Sequence, residues 1–151
     1  MPAKAPRRAV IDVNIIIRGL LSPTGASAAL LEAVRRRRCL LIASRAYLDE
    51  IHRVLHRPRF VQRYGITRVR RQRLIARLYT LALLVEPTGR LTLCRDPKDD
   101  YLVEMALLGQ AAYLVSEDAD LLEDPDIVEF LRQHGVELVH VGTFARLLAT
   151  I

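Results

Sequence analysis

The strongest constraint on this chain is an alternation. Short apolar runs, RAVIDV at 8–13, CLLIA at 39–43, ALLVE at 82–86, AAYLVS at 111–116 and VELVHV at 136–141, are separated by segments with helical periodicity. Continuous apolar runs of this length suit strands covered on both faces. Strands interleaved with helices imply a parallel sheet with helices on both sides, and the functional crevice of such a sheet lies outside the carboxyl ends of its strands. The expected architecture is therefore α/β, three layers with a central parallel sheet. The first run reaches an acid at Asp12, and the fourth leads straight into Glu117, Asp118 and Asp120.

The connecting segments carry helix punctuation. Gly19, Pro23 and Gly25 form a breaker cluster that predicts a loop or a short helical turn after the first strand. Residues 26–38 predict a helix that closes on Arg35–Arg38, cations suited to the carboxyl end of a helix dipole. Ser44 is a natural N-cap for a helix running towards Pro58, with Leu48, Ile51 and Leu55 on its core face and Glu50 one position off that stripe. A short helix over 59–65 and a longer one starting at Thr67 follow. The longer one is the most basic element, with Arg68, Arg70, Arg71, Arg73 and Arg77 and no interleaved glutamate to pair them. Asp96 followed by Pro97 predicts an N-cap and first helical residue, and Gly109 suits that helix's end. A helix around 126–135 and a terminal one over 143–151 complete the pattern.

The chain has 151 residues, about half of them apolar, which predicts a single domain over residues 8–151 behind a basic N-terminal tail, residues 1–7. Cys39 and Cys94 lie far apart without CxxC spacing, so neither a zinc site nor a disulfide framework is expected. No run of 18 or more apolar residues occurs, and MPAKAPRR leads into no signal-like apolar segment. A cytoplasmic protein without membrane association is expected.

Charge is unevenly distributed. Residues 1–90 hold 19 Lys+Arg against 5 Asp+Glu, a net of +14, while residues 91–151 hold 4 against 12, a net of −8. A basic surface for a polyanion and an acidic locus for cations would produce such a split. Arginine supplies 21 of the 23 basic residues, a bias that codon usage alone can create, so the sign of the charge is informative and the choice of arginine over lysine is not.

Each acid alone has a structural explanation: Asp96 and Asp99 as first-turn residues, Asp120 and Asp124 as turn residues. Together they need more. Asp96, Asp99 and Asp100 crowd one turn, where like charges repel, and Asp12 and Asp118 follow buried strands, where unpaired charge is penalised. A hard divalent cation with oxygen ligands resolves both. His52 and His56 have i,i+4 spacing but lack a third histidine or an HExxH pattern, so a soft-metal site is the weaker reading.

The order AVIDVN, SRAYLDEIHRVLHRPRF, CRDPKDDYLVEMALLGQAAYLVSEDADLL resembles the PIN-domain family, in particular its toxin components of toxin-antitoxin systems. The resemblance implies a PIN-like three-layer α/β/α fold and a Mg²⁺- or Mn²⁺-dependent endoribonuclease that hydrolyses RNA in line, leaving a 5′-phosphate and a 3′-hydroxyl. By motif, Asp12, Glu50, Asp99 and Asp118 match the catalytic, metal-holding acids. Asn14 matches the polar companion of Asp12 and Ser116 the hydroxyl before Asp118. Asp96, Asp100 and Asp120 are expected as auxiliaries, and Arg68, Arg70, Arg71, Arg73 and Arg77 as the RNA-binding set. Val13 departs from the small hydroxyl residue often found there. The resemblance also implies an antitoxin protein as partner, in a family where homodimers are common.

Two other readings compete. A Mg²⁺-dependent phosphatase also places acids at strand ends, but Asp12 is followed by Val13-Asn14 without a second Asp, and the only lysines are Lys4 and Lys98. A non-catalytic RNA- or protein-binding module with the same fold has no need of intact acids at all four matched positions.

Overall fold

The computed structural model describes residues 6–150. Of the tail expected over residues 1–7, residues 1–5 lie outside the described residues, and Arg7 already belongs to the first strand. The elements run β1 (Arg7–Ile11), α1 (Val13–Leu21), α2 (Ala26–Arg35), β2 (Cys39–Ala43), α3 (Arg45–Leu55), α4 (Pro58–Tyr64), α5 (Arg68–Leu81), β3 (Leu83–Leu84), α6 (Pro97–Leu108), β4 (Tyr113–Ser116), α7 (Ala119–Leu122), α8 (Pro125–Gln133), β5 (Glu137–His140) and α9 (Val141–Ala149). The five strands form one sheet in the order β3-β2-β1-β4-β5, and every pairing is parallel.

This order explains the burial. From β1 the chain moves outward to β2 and β3, then crosses to the other side of β1 to lay down β4 and β5. Right-handed crossovers in opposite directions put their helices on opposite faces, so α1–α5 lie on one side and α6–α8 on the other. α9 returns to pack on α2. Covered from both sides, Ala9, Val10, Ile11, Leu41, Ile42, Leu114 and Val115 are fully inaccessible. A buried isoleucine or valine contributes about 1.5–3 kcal/mol each, which is why these runs are apolar without interruption.

Two expectations are corrected. The segment after β1 is a nine-residue helix, α1, where a loop or short helical turn was expected. Gly19 is not a breaker there: a Cβ on it would stand 2.6 Å from the backbone oxygen of Ser27, so the residue lets α1 approach α2. β1 ends at Ile11, leaving Asp12 as the N-cap of α1 and Val13 and Asn14 as helical residues. Gly109 closes α6 as expected, but with φ −84° and not in the left-handed region. It is small because a Cβ would meet Ile42 at 2.7 Å, and Gln110 takes the positive φ of 52° instead.

The remaining ends follow their caps. Ser44 Oγ accepts from Tyr47 N, Thr67 Oγ1 from Arg70 N, and Asp96 Oδ1 from Lys98 N, with Pro97 at the start of α6 and Pro58 at the start of α4. α2 stops at Arg35, so Arg36–Arg38 lie beyond its last helical residue. Among the described residues no single helix is long and apolar enough to cross a membrane, and α1 with α2 would reach that composition only across a 90° bend.

Candidate active site

The crevice opens where the chain reverses direction, between the carboxyl ends of β1 and β4. In a doubly wound sheet the two loops diverge to opposite faces there and leave a gap. Ile11 pairs with Val115, and the amide of Asp12 donates to Val115 O at 3.0 Å, so Asp12 stands at the point where β1 leaves the sheet. Its carboxylate accepts from Asn14 N at 3.2 Å, capping α1. Ser116, fully buried at the end of β4, accepts the amide of Asp118 at 3.0 Å and so turns that loop towards Asp12. Asp118 in turn caps α7 by accepting from Asp120 N at 2.9 Å.

Two more acids come from helices on opposite faces of the sheet. Glu50 lies one turn after Tyr47 on α3, half-buried at the edge of the packed stripe, and Asp99 sits in the first turn of α6. Asp12, Glu50, Asp99 and Asp118 all line one cleft of about 980 Å³, together with Asp96 and Asn14. The four acids, spread over more than 100 residues of sequence, thus share one opening. Among the described residues no three of the acidic, histidine or cysteine side chains are already drawn together as a metal-binding group.

The electrostatics record the crowding. Burial raises the Asp12 carboxyl above its ordinary value; the Asn14 amide works against that, and the charges of Glu50, Asp118 and Glu117 add to it. Asp99 is pushed up to about 6, first by burial and then by Asp96, Asp118, Asp12 and Asp100. Tyr47, buried beside them, donates its hydroxyl to Ile11 O at 2.5 Å, fixing the end of β1; burial pushes its phenol well above the ordinary value, and Asp12 and Glu50 push it further. Repelling, partly desolvated carboxylates with hard oxygen donors form a donor set that suits a hard divalent cation.

Not every expected residue is in the cleft. Asp100 is buried and accepts the amides of Leu93 at 2.8 Å and Cys94 at 2.6 Å. Burial alone would raise its carboxyl, but these donors hold it below the ordinary value. It fastens the loop before α6 and is not an auxiliary ligand. Four residues on, buried Glu104 accepts from Thr88 N at 2.6 Å, Thr88 Oγ1 at 2.5 Å and Gly89 N at 3.0 Å, holding the other end of that loop. Asp120 is exposed and contributes its amide to Asp118, while Ser116 acts from behind by orienting the Asp118 backbone.

The basic residues are redistributed more strongly. None of Arg68, Arg70, Arg71, Arg73 and Arg77 lines the cleft. Arg71 is buried and donates to Ile66 O at 3.2 Å, with its Nε unpartnered, which removes it from any RNA surface. The cations that do line the cleft are Arg18, Arg53, Arg57, Arg59 and Lys98. Lys98 Nζ lies 3.7 Å from Glu50, and Arg18 pairs with Glu117, the acid next to Asp118 at the end of β4. Arg53 and Arg57 follow Glu50 by three and seven residues, a spacing that would have placed all three on one face of the helix expected up to Pro58, although α3 itself ends at Leu55. Burial pushes both cysteine thiols up to about 12, so neither is a thiolate at neutral pH.

Comparison with known proteins agrees with this fold. The family described as "PIN domain" matches residues 8–120. The uncharacterized protein MJ1680 of Methanocaldococcus jannaschii is 22% identical over 131 residues, covering 87% of this chain and 83% of its own length. No solved structure gives a significant match. With three quarters of its length matched and a five-stranded parallel sheet that gathers the acids at its switch point, the chain belongs to the PIN domain family, a generally nucleolytic fold that generally uses divalent metals.

Proposed function

We propose that the protein is a Mg²⁺- or Mn²⁺-dependent endoribonuclease, acting in the cytoplasm as the toxin of a toxin-antitoxin pair. The observation that carries the reading is that Asp12, Glu50, Asp99 and Asp118 line one cleft together with Arg18, Arg53 and Arg57. Acids alone would repel a phosphodiester, and arginines alone would bind it without acting on it. The two together suit a substrate that is itself an anion and must be approached by a cation.

Asp12, Glu50, Asp99 and Asp118 would hold the metal. When bound, it supplies positive charge to the phosphate oxygens as negative charge develops on them. The other groups position. Tyr47 and the Asp12–Val115 backbone bond fix the end of β1, and the Ser116 hydroxyl fixes the loop bearing Asp118. Lys98, 3.7 Å from Glu50, offsets that carboxylate's charge until a cation competes for it. Arg53 and Arg57, exposed on the rim, offer guanidinium groups to flanking phosphates.

The test is cleavage of end-labelled single-stranded RNA. Turnover in Mg²⁺ or Mn²⁺, its loss in EDTA and its loss in a folded Asp99→Asn variant are expected. Undiminished cleavage by that variant, with contaminating nuclease excluded, contradicts the assignment. Metal-independent RNA binding without cleavage assigns a binding module, and hydrolysis of phosphate monoesters alone assigns a phosphatase. Co-purification with a small DNA-binding protein encoded beside it, and relief of cleavage on dissociation, tests the toxin role separately.

A further inference from the structure

One wall of the cleft has a chemistry that metal-dependent hydrolysis leaves unused. α4 has no buried residue, and its two aromatic side chains, Phe60 and Tyr64, one turn apart, both line the cleft. Their ring centroids lie 6.3 Å apart with planes only 24° from parallel. Arg59 holds its guanidinium carbon 4.8 Å from the Phe60 centroid, and Arg63 holds its own 5.4 Å from that of Tyr64. Aromatic residues are scarce in the chain, five tyrosines and three phenylalanines, yet four of them line this one cleft. Two have structural duties, since the Tyr47 hydroxyl bonds Ile11 O and the Tyr101 hydroxyl bonds Ser44 Oγ at 2.5 Å. Phe60 and Tyr64 touch the core only in part and remain half-buried at the opening.

We propose that Phe60 and Tyr64, with the guanidinium planes of Arg59 and Arg63, form a shelf on which unpaired bases of an RNA strand stack while its backbone runs into the acidic cleft. The proposal rests on the ribonuclease reading above and assigns residues outside the acidic set to hold the bases of the strand. Aromatic faces and guanidinium planes accept any base whose own face is free, so they favour single strands over duplexes, whose bases are already stacked. Charge complementarity selects the occupant: Arg53, Arg57 and Arg59 beside the rings suit a strand that alternates flat bases with phosphates. An acidic peptide would satisfy the arginines but offers no regular succession of flat groups to two near-parallel rings.

The test reads binding by fluorescence anisotropy on the Asp99→Asn protein, so that the probe is not consumed. The probes are a short single-stranded RNA, the same strand with its bases removed, and its duplex. The single strand is expected to bind about 10-fold or more tightly than the abasic strand, from a stacking contribution of the usual size for one or two bases. Phe60→Ala with Tyr64→Ala should erase that difference and leave the abasic strand unchanged. Phe60→Leu with Tyr64→Leu keeps apolar bulk in α4 and should erase it equally, which separates loss of the ring faces from loss of the helix. A difference that survives the leucine pair, or no difference in the parent protein, overturns the shelf. Poly-glutamate binding as tightly as the single strand, and released by the same variants, assigns the wall to a protein partner and also overturns it. Cleavage by the wild-type protein without a base-dependent difference keeps the nuclease reading and removes the shelf; the difference without cleavage does the reverse.

Discussion

Removing one negative charge from the cleft should stabilise the metal-free protein. Asp99 has its carboxyl pushed up to about 6 from 3.8 by burial and by four neighbouring acids. At ~1.4 kcal/mol per pKa unit, a rise of this size is a penalty of at most about 3 kcal/mol on the ionised folded state. Solvent reaches this half-buried group and screens the repulsion, so about half of that is the realistic figure. Asp99→Asn keeps the shape and removes the penalty, but it also gives up a favourable charge in the first turn of α6, worth ~0.3–1 kcal/mol. The balance leaves the variant more stable by about 1 kcal/mol, roughly 3 °C in Tm for a chain of this size. The sign depends on pH. A carboxyl whose folded value is raised costs nothing below its unfolded value, near pH 4, and costs in full once pH exceeds the folded value, near 6. Urea melts in EDTA at pH 4 and pH 7.5 should therefore show no gain in acid and the gain at the higher pH. A variant less stable than the parent at pH 7.5 would mean that Asp99 is held by favourable partners, and the repulsive-site argument would fail.

Other consequences are local. Gly19→Ala should cost about 1–3 kcal/mol in chemical denaturation, because the new Cβ meets backbone, not a movable side-chain tip, 2.6 Å away; a neutral result would mean that α1 and α2 are not in close contact. Glu104→Ala should cost about 2 kcal/mol by stripping the acceptor from Thr88 and Gly89. Although burial alone would raise the Glu104 carboxyl, those donors hold it below its ordinary value, so its contribution is complete above its unfolded value and fades as pH falls through the folded one. The gap between parent and variant in urea melts should shrink accordingly in acid. Arg53→Ala and Arg57→Ala should each lower the salt slope of RNA binding by ~1, whereas Arg70→Ala and Arg73→Ala should leave it unchanged, since only the first pair lines the cleft.

Sequence and structure agree where one residue type has one physical meaning. Apolar runs closing on acids located β1 and β4, and Ser44, Thr67 and Asp96-Pro97 marked helix starts through side-chain oxygens that do accept from the following amides. They diverge where a residue has two meanings. Gly19 reads as a breaker in sequence, but a glycine also permits close helix contact, and only the neighbour in space decides. Asp99 and Asp100 are adjacent in sequence yet about 100° apart around a helix, so one faces the cleft and the other the preceding loop. Nothing local tells which. Charge density pointed to α5, whereas the cleft draws its arginines from α1, α3, the α3–α4 junction and α4, a set scattered over some forty residues that becomes a patch only when the chain is folded.

The central claim is that four distant carboxylates form one cation site. Titrating the metal-free protein with Mn²⁺ and following free Mn²⁺ by electron paramagnetic resonance tests it most directly. Saturable binding is predicted, weakened at least tenfold by Asp12→Asn and likewise by Asp118→Asn, with the folded state unchanged by circular dichroism. Absence of saturable binding, or saturable binding that both substitutions leave intact, would contradict the account.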